Sequence, residues 1–559
     1  MTFLVPLLLL FCLNPSPSPH GWMQDTKPTA DASDLAGADR LYQSGDFAEA
    51  AEKYQAILKA DPNSAQAQSG VIRSLLKEEK IDDALTLAKS AAAAQPNSSA
   101  VWAAMGDVQF RFGQMSPAEV SYQKALKLDP KNVEAYLGLV RIYRAYSLYA
   151  HAYANLERAH QIAPNDPQVQ RMWLGQLSRK DRIAAIEAYL ASPHPDDPEE
   201  TQSLELRLAF LKATEGQSHA CRLVSEVPQT DTKLEALRRD PQHVFGMGLV
   251  VGLNGHDAHL QLDTGAGGIS VSRKVAEKAG LTQITQEKIY GIGDKGAQAG
   301  YSAIADDIRI GKLEFKDCVV HVSKSVTMNT EDGLIGADVF SSYLIDIDIP
   351  EQKLRLSPLP KRPDESTAPT ALKTGEQSEP SDEESSSEAT PAKPGESGAS
   401  QVASEVKPRK RQPQDRYIAP EMANWTSVFR FGSHLLIPTH VNDSPSMLFL
   451  IDTGATMNAL SSRAAQQVTK VSSDPRATVK GLNGTVANVY RADKATLYFA
   501  RYAQKNQDIV TFDISNISRR MGTEVSGILG FAMLHMLQVK IDYRDGLVDF
   551  FYDPKRWDH

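Results

Sequence analysis

A chain of 559 residues is long enough for several domains, each with a sizeable core. Its formal net charge of −9 argues against a nucleic-acid binder. No apolar run reaches the length needed to cross a bilayer as a helix, so a stable transmembrane segment is not expected. Thr2 to Leu13 is almost wholly apolar and is followed by Pro15, Pro17 and Pro19. That is the length of a signal-peptide core. The usual basic start is missing, and bulky Phe11 precedes Cys12 where a lipidation site would have a small residue. The reading is a signal peptide over 1–25 and an exported protein, periplasmic or secreted. Cys221 and Cys318 then remain, and either a disulfide or two buried thiols would satisfy them.

From Asp34 to Pro167 the sequence repeats. Pro62, Pro96, Pro130 and Pro164 stand 34 residues apart. Ala50, Ala84, Ala118 and Ala152 recur in the same phase, as do Tyr54 with Tyr122 and Gly45 with Gly113. Small residues let paired helices approach, and the prolines end the second helix of each pair. A period of 34 is that of tetratricopeptide repeats, four of them over 34–167. Such repeats stack into an all-α solenoid with a concave face. They would recruit a protein partner or substrate, or serve only as a spacer. Residues 168–235 keep helical patterning and read as a cap and connector.

The remainder is β-rich and internally duplicated. Leu260-Gln261-Leu262 runs into Asp263-Thr264-Gly265-Ala266, and Phe449-Leu450-Ile451 runs into Asp452-Thr453-Gly454-Ala455. A given tetrapeptide is expected on the order of once per 10⁵ positions, so two copies in one chain are a signal. Each copy reads as a strand ending at the acid, with Gly allowing a tight turn. A Gly-containing hairpin follows each, around Gly291-Ile292-Gly293 and Gly296, and around Gly481-Leu482-Asn483-Gly484. Each half then shows two apolar residues before Gly, Leu334-Ile335-Gly336 and Ile528-Leu529-Gly530. Two late strands close each half, and Asp346, Asp348 and Asp542 on them are expected to face solvent. Between the halves, 358–414 is rich in Ser, Glu, Pro, Thr and Ala and reads as a disordered linker ending in the basic cluster Lys407 to Arg411.

Two short carboxylates at the tips of buried strands can share one proton, because two like charges in contact cannot both ionise cheaply. One neutral and one charged carboxyl make a general acid and a general base around one water. From about Pro241 onward the chain resembles retropepsin-like aspartic proteases in tandem, with lobe 1 over 241–357 and lobe 2 over 415–559. The resemblance implies an all-β two-lobed fold in which Asp263 and Asp452 meet as a catalytic dyad. It implies that Thr264 and Thr453 lock the two loops together by cross-lobe hydrogen bonds. Gly265 and Gly454 would offer backbone carbonyls to a peptide or protein substrate, Gly291, Gly293, Gly481 and Gly484 would meet it from two flaps, and Gly336 and Gly530 would be structural at the site. Viral members usually have Asp after the tetrad, where this chain has Gly267 and Thr456. Such chemistry uses neither metal nor organic cofactor, and the ligand-type residues His256, Asp257 and His259 fall in the hairpin before Asp263. The implied activity is that of an aspartic endopeptidase. The alternatives are a peptide-binding scaffold without activity, and lobes that pair with another molecule.

Overall fold

The computed structural model describes residues 30–192, 197–215, 221–225, 227–293, 296, 298–323, 332–363, 413–482, 484–486 and 488–556. The expected signal peptide and nearly all of the expected linker, with its basic cluster, lie outside the described residues.

Eight helices form four antiparallel pairs: Ala30–Gln43 with Phe47–Ala60, Ala65–Lys77 with Ile81–Ala94, Ser99–Arg111 with Met115–Leu128, and Val133–Ala145 with Tyr149–Ile162. The 34-residue period is written into the caps. Ser64, Ser98, Asn132 and Asp166 each accept a backbone N–H three residues on, from Ala67, Val101, Ala135 and Val169. These bonds satisfy donors that the first helical turn leaves free. Glycines make room for the recurring tyrosines: a Cβ on Gly106 or Gly138 would lie 2.6 or 2.3 Å from the Tyr122 ring. Acid and base also alternate in this phase, with Arg73 Nε 2.9 Å and Arg141 Nη2 2.6 Å from the Asp107 carboxylate. Three further helices follow: Pro167–Trp173, Arg179–Ala191 and Pro198–Ala213.

The strands begin earlier than the expected boundary at 241. Arg222–Leu223 pairs with Leu313–Ser323, Thr230–Lys233 with Lys353–Pro358, and Glu235–Asp240 with His243–Leu253. The tail of the expected helical connector therefore belongs to the first lobe. A Cys221–Cys318 disulfide fastens it there.

Each lobe is built on its own sheet. In the first, Gly333–Gly336 lies parallel to His256–Asp263, with Gly336 opposite Asp263. In the second, Gly527–Leu529 lies parallel to Met447–Ile451, with Leu529 opposite Ile451. A third, six-stranded sheet joins the lobes through antiparallel pairing of Tyr343–Asp348 with Leu537–Asp542. One apolar cluster, including Ile345, Ile347, Val539 and Ile541, runs through both lobes and this sheet. The late-strand acids are not uniformly at the surface. Asp348 is 2 % and Asp542 0 % exposed. Burial is compatible with charge at Asp348 because Arg355 and Arg556 pair with it at 3.1 and 3.0 Å. Asp542 instead accepts the Asp545 N–H, while Asp545 pairs with Arg362 and Arg544. Arg362 also reaches Gln414 at 2.8 Å, so the two ends of the inter-lobe segment meet at the base of the second lobe.

The solenoid is not a tethered module. Phe110, Met115 and Leu139 share a buried apolar cluster with Leu436, Leu448 and Val525 on the outer face of the second lobe. Polar contacts surround it: Thr523 Oγ1 donates to the Phe110 carbonyl at 2.7 Å, and Arg463 grips Asp82 at 2.6 and 2.8 Å.

Candidate active site

The strand pairings carry Asp263 and Asp452 to the seam between the lobes. Each acid is followed by a turn whose N–H groups point back at it. Gly265 N donates to Asp263 Oδ1 at 2.8 Å. Gly454 N and Ala455 N donate to Asp452 Oδ1 at 2.8 and 2.9 Å. The loops cross over. A Cβ on Gly454 would lie 2.2 Å from Asp263 Oδ2, and one on Gly265 2.5 Å from Asp452 Cγ. Both positions therefore require glycine, and each glycine covers the other lobe's acid.

The threonines are arranged with twofold regularity. Thr264 N donates to Thr453 Oγ1 at 3.1 Å, and Thr453 N to Thr264 Oγ1 at 3.0 Å. Each hydroxyl then donates to the opposite strand, Thr264 to the Ile451 carbonyl and Thr453 to the Leu262 carbonyl, both at 2.9 Å. Four bonds thus cross the seam where side chains are 0–3 % exposed.

The two carboxyls are close enough to interact, each lying against the glycine of the opposite loop. Burial, then the charge of Asp452, raises Asp263 well above the usual carboxylate range. Burial raises Asp452 too, opposed by the N–H groups of Ala455 and Gly454 and by the bond from Asp263. Two like charges in contact are costly, which favours a pair that shares one proton over one in which both acids are charged.

The flap glycines come together above this floor. A Cβ on Gly291 would lie 2.6 Å from Leu482 Cβ, and one on Gly481 2.3 Å from the Ile292 carbonyl oxygen, so the tips of the two hairpins touch. Gln298 Nε2 donates to the Leu482 carbonyl at 2.7 Å. Gly293 and Gly484 take positive φ, 136° and 108°, at the two turns. Gly336 and Gly530 sit beneath the dyad loops. Their added Cβ would meet Asp338 Oδ1 at 2.3 Å and the Met457 carbonyl at 2.3 Å.

Several residues at the site were not legible as site residues in the sequence. Asp338 accepts from Gly268 N at 3.0 Å, and Asn458 Oδ1 accepts from Gly530 N at 2.9 Å. They brace the two loops from non-equivalent positions, so comparing the halves does not reveal them. Gly267 is explained by its neighbour: a Cβ there would lie 2.5 Å from Ser433 Oγ, from the second lobe. Beside Ser433, His434 hydrogen-bonds the Phe431 carbonyl at 3.3 Å, and burial holds its imidazole below the usual value. Gln261 Nε2 donates to the Gly454 carbonyl at 3.3 Å. A carbonyl oxygen has two lone pairs, so Gly454 can still accept a second donor.

Comparison with known proteins finds family matches in both regions of the chain. The model of a family described as aspartyl protease matches residues 249–339 and 437–533, one segment around each acid. Tetratricopeptide-repeat models match 41–108 and 99–132. Solved structures similar to this chain include a thermophilic TPR protein of Thermus thermophilus, 18% identical, covering 33% of this chain and 98% of that one at a TM-score of 0.27. Another is an O-GlcNAc transferase mutant of Thermobaculum terrenum, 23% identical, covering 24% of this chain and 27% of that one at a TM-score of 0.20. None of the curated proteins matches this chain. The chain joins an N-terminal region of tetratricopeptide repeats to a C-terminal, β-rich region of the aspartyl-protease type.

Proposed function

We propose that the protein is an exported aspartic endopeptidase whose two lobes come from one chain. The observation that carries this is the crossing of the two loops, which sets Gly454 against Asp263 and Gly265 against Asp452, with each acid held by its own loop and both loops locked by the threonines. A water between the carboxyls would lose its proton to the charged member, Asp452, as its oxygen attacks the scissile carbonyl. The protonated member, Asp263, would polarise that carbonyl, and the pair would return a proton to the leaving nitrogen. Export is supported by the apolar segment Thr2 to Leu13 and by the disulfide, since disulfides persist in oxidising compartments. The repeats would recruit a protein partner or substrate with the surface that the second lobe leaves uncovered.

The test is digestion of a peptide library by the purified full chain beside Asp263→Asn and Asp452→Asn. Each substitution removes the shared-proton pair while keeping the size of the side chain. Cleavage should fall by at least about a hundredfold in each, the range of one acid–base catalyst. Near-normal turnover in either variant would end the reading.

A further inference from the structure

Beside the first flap, one cation has no carboxylate partner among the described residues. Arg520 lies on the helix Ser515–Met521, which precedes the strand Gly527–Leu529. Its guanidinium sits 4.2 Å over the ring of Tyr290, the residue before the first flap tip. Asn516, on the same helix, donates to the Gly291 carbonyl at 3.4 Å. The helix therefore stands against the flap under which a peptide would lie.

The geometry is that of a prepared anion reader. The tyrosine ring covers one side of the guanidinium, and Arg520 is exposed. A planar fork with free N–H groups matches a carboxylate. Ordering a long side chain is normally an entropic cost of binding, and stacking on an aromatic ring reduces it. The helix is also anchored from behind by the repeats: Arg519 lies 3.6 Å from Glu79, and Thr523 is bonded to the Phe110 carbonyl. A dyad carrying one negative charge would repel an acidic side chain close by, so acceptance of one needs a nearby cation.

We propose that Arg520 determines specificity, binding an Asp or Glu side chain of the substrate beside the first flap; this rests on the endopeptidase reading for the identity of the ligand as a peptide. The experiment uses fluorescein-labelled octapeptide pools with Glu, Gln or Lys fixed at one position in turn and the others randomised. Binding is read by polarisation on the full-length Asp263→Asn protein, and hydrolysis is read on the otherwise unmodified chain. At one position Glu pools should bind about tenfold more tightly than Gln pools, the worth of one charge-assisted hydrogen bond. Arg520→Gln should collapse that ratio, and Arg520→Glu should transfer the preference to Lys at the same position. The proposal is overturned if no position prefers Glu, or if the preference survives Arg520→Glu. Glu-selective binding without hydrolysis would uphold Arg520 and remove the endopeptidase. Hydrolysis without Glu preference would do the reverse.

Discussion

Replacing Thr264 by Val keeps the shape of the side chain and removes only its hydroxyl. In the structure that hydroxyl donates to the Ile451 carbonyl at 2.9 Å and accepts from Thr453 N at 3.0 Å. Both partners belong to the other lobe, and Thr264 is 0 % exposed, so water cannot replace either bond. Leaving a buried donor or acceptor unmatched costs about 1–3 kcal/mol each, so the substitution should destabilise by about 2–6 kcal/mol. The same change loosens the loop carrying Asp263, and a misplacement of the order of 1 Å can lower turnover about a hundredfold. Thr264→Ser keeps the hydroxyl and should recover most of both losses. Thermal and urea unfolding measure the first effect, and kcat on a cleaved peptide the second. Thr453→Val should behave alike, and the double variant should cost less than the two singles combined, because the four bonds form one unit. A Thr264→Val protein with stability within about 0.5 kcal/mol of wild type and unchanged kcat would refute the idea that these bonds hold the lobes in register.

Three further outcomes are expected. Because both dyad acids are raised, the singly protonated pair should persist to higher pH than in enzymes whose tetrad ends in a hydroxyl residue; Ala266→Ser/Ala455→Ser should add donors to the charged form and move the alkaline limb of the pH–rate profile down, and an unmoved limb would contradict this. Burial and then the charge of Asp545 push Asp542 up to about 6. A raised acid contributes stability that is full below about pH 4 and lost as pH rises through about 6, so Asp542→Asn should stabilise the fold by about 2–3 kcal/mol at pH 8 and little at pH 4. Unfolding measured at the two pH values checks this, and an equal effect at both would dismiss the cause. Deleting 34–167 should uncover Leu436, Leu448 and Val525 and so abolish hydrolysis of even short peptides, together with soluble expression; a soluble, active truncation would show that the shared apolar cluster is dispensable.

What the chain determines alone is whatever repeats within it. The 34-residue phase of Pro62, Pro96, Pro130 and Pro164 specifies helix pairs because capping and close approach are local events. The duplicated Asp-Thr-Gly-Ala places two carboxylates at the tips of two buried strands because alternation and turn chemistry are local as well. Their meeting, and the threonine bonds between them, follow from resemblance and not from any pattern a single strand displays. Cys221 and Cys318 carry no mark of pairing across 97 residues. Asp348 and Asp542 look like surface acids because the arginines and the carboxylate that decide their burial lie elsewhere in the chain. Asp338, Asn458, Ser433 and Arg520 reach the site by different routes in the two halves, so duplication does not expose them. The apolar seam between repeats and second lobe is likewise invisible beforehand, since each partner reads as an ordinary core face until the two are docked. Contacts distant in sequence depend on how whole sheets and helix pairs pack, and that information exists only once the chain has folded.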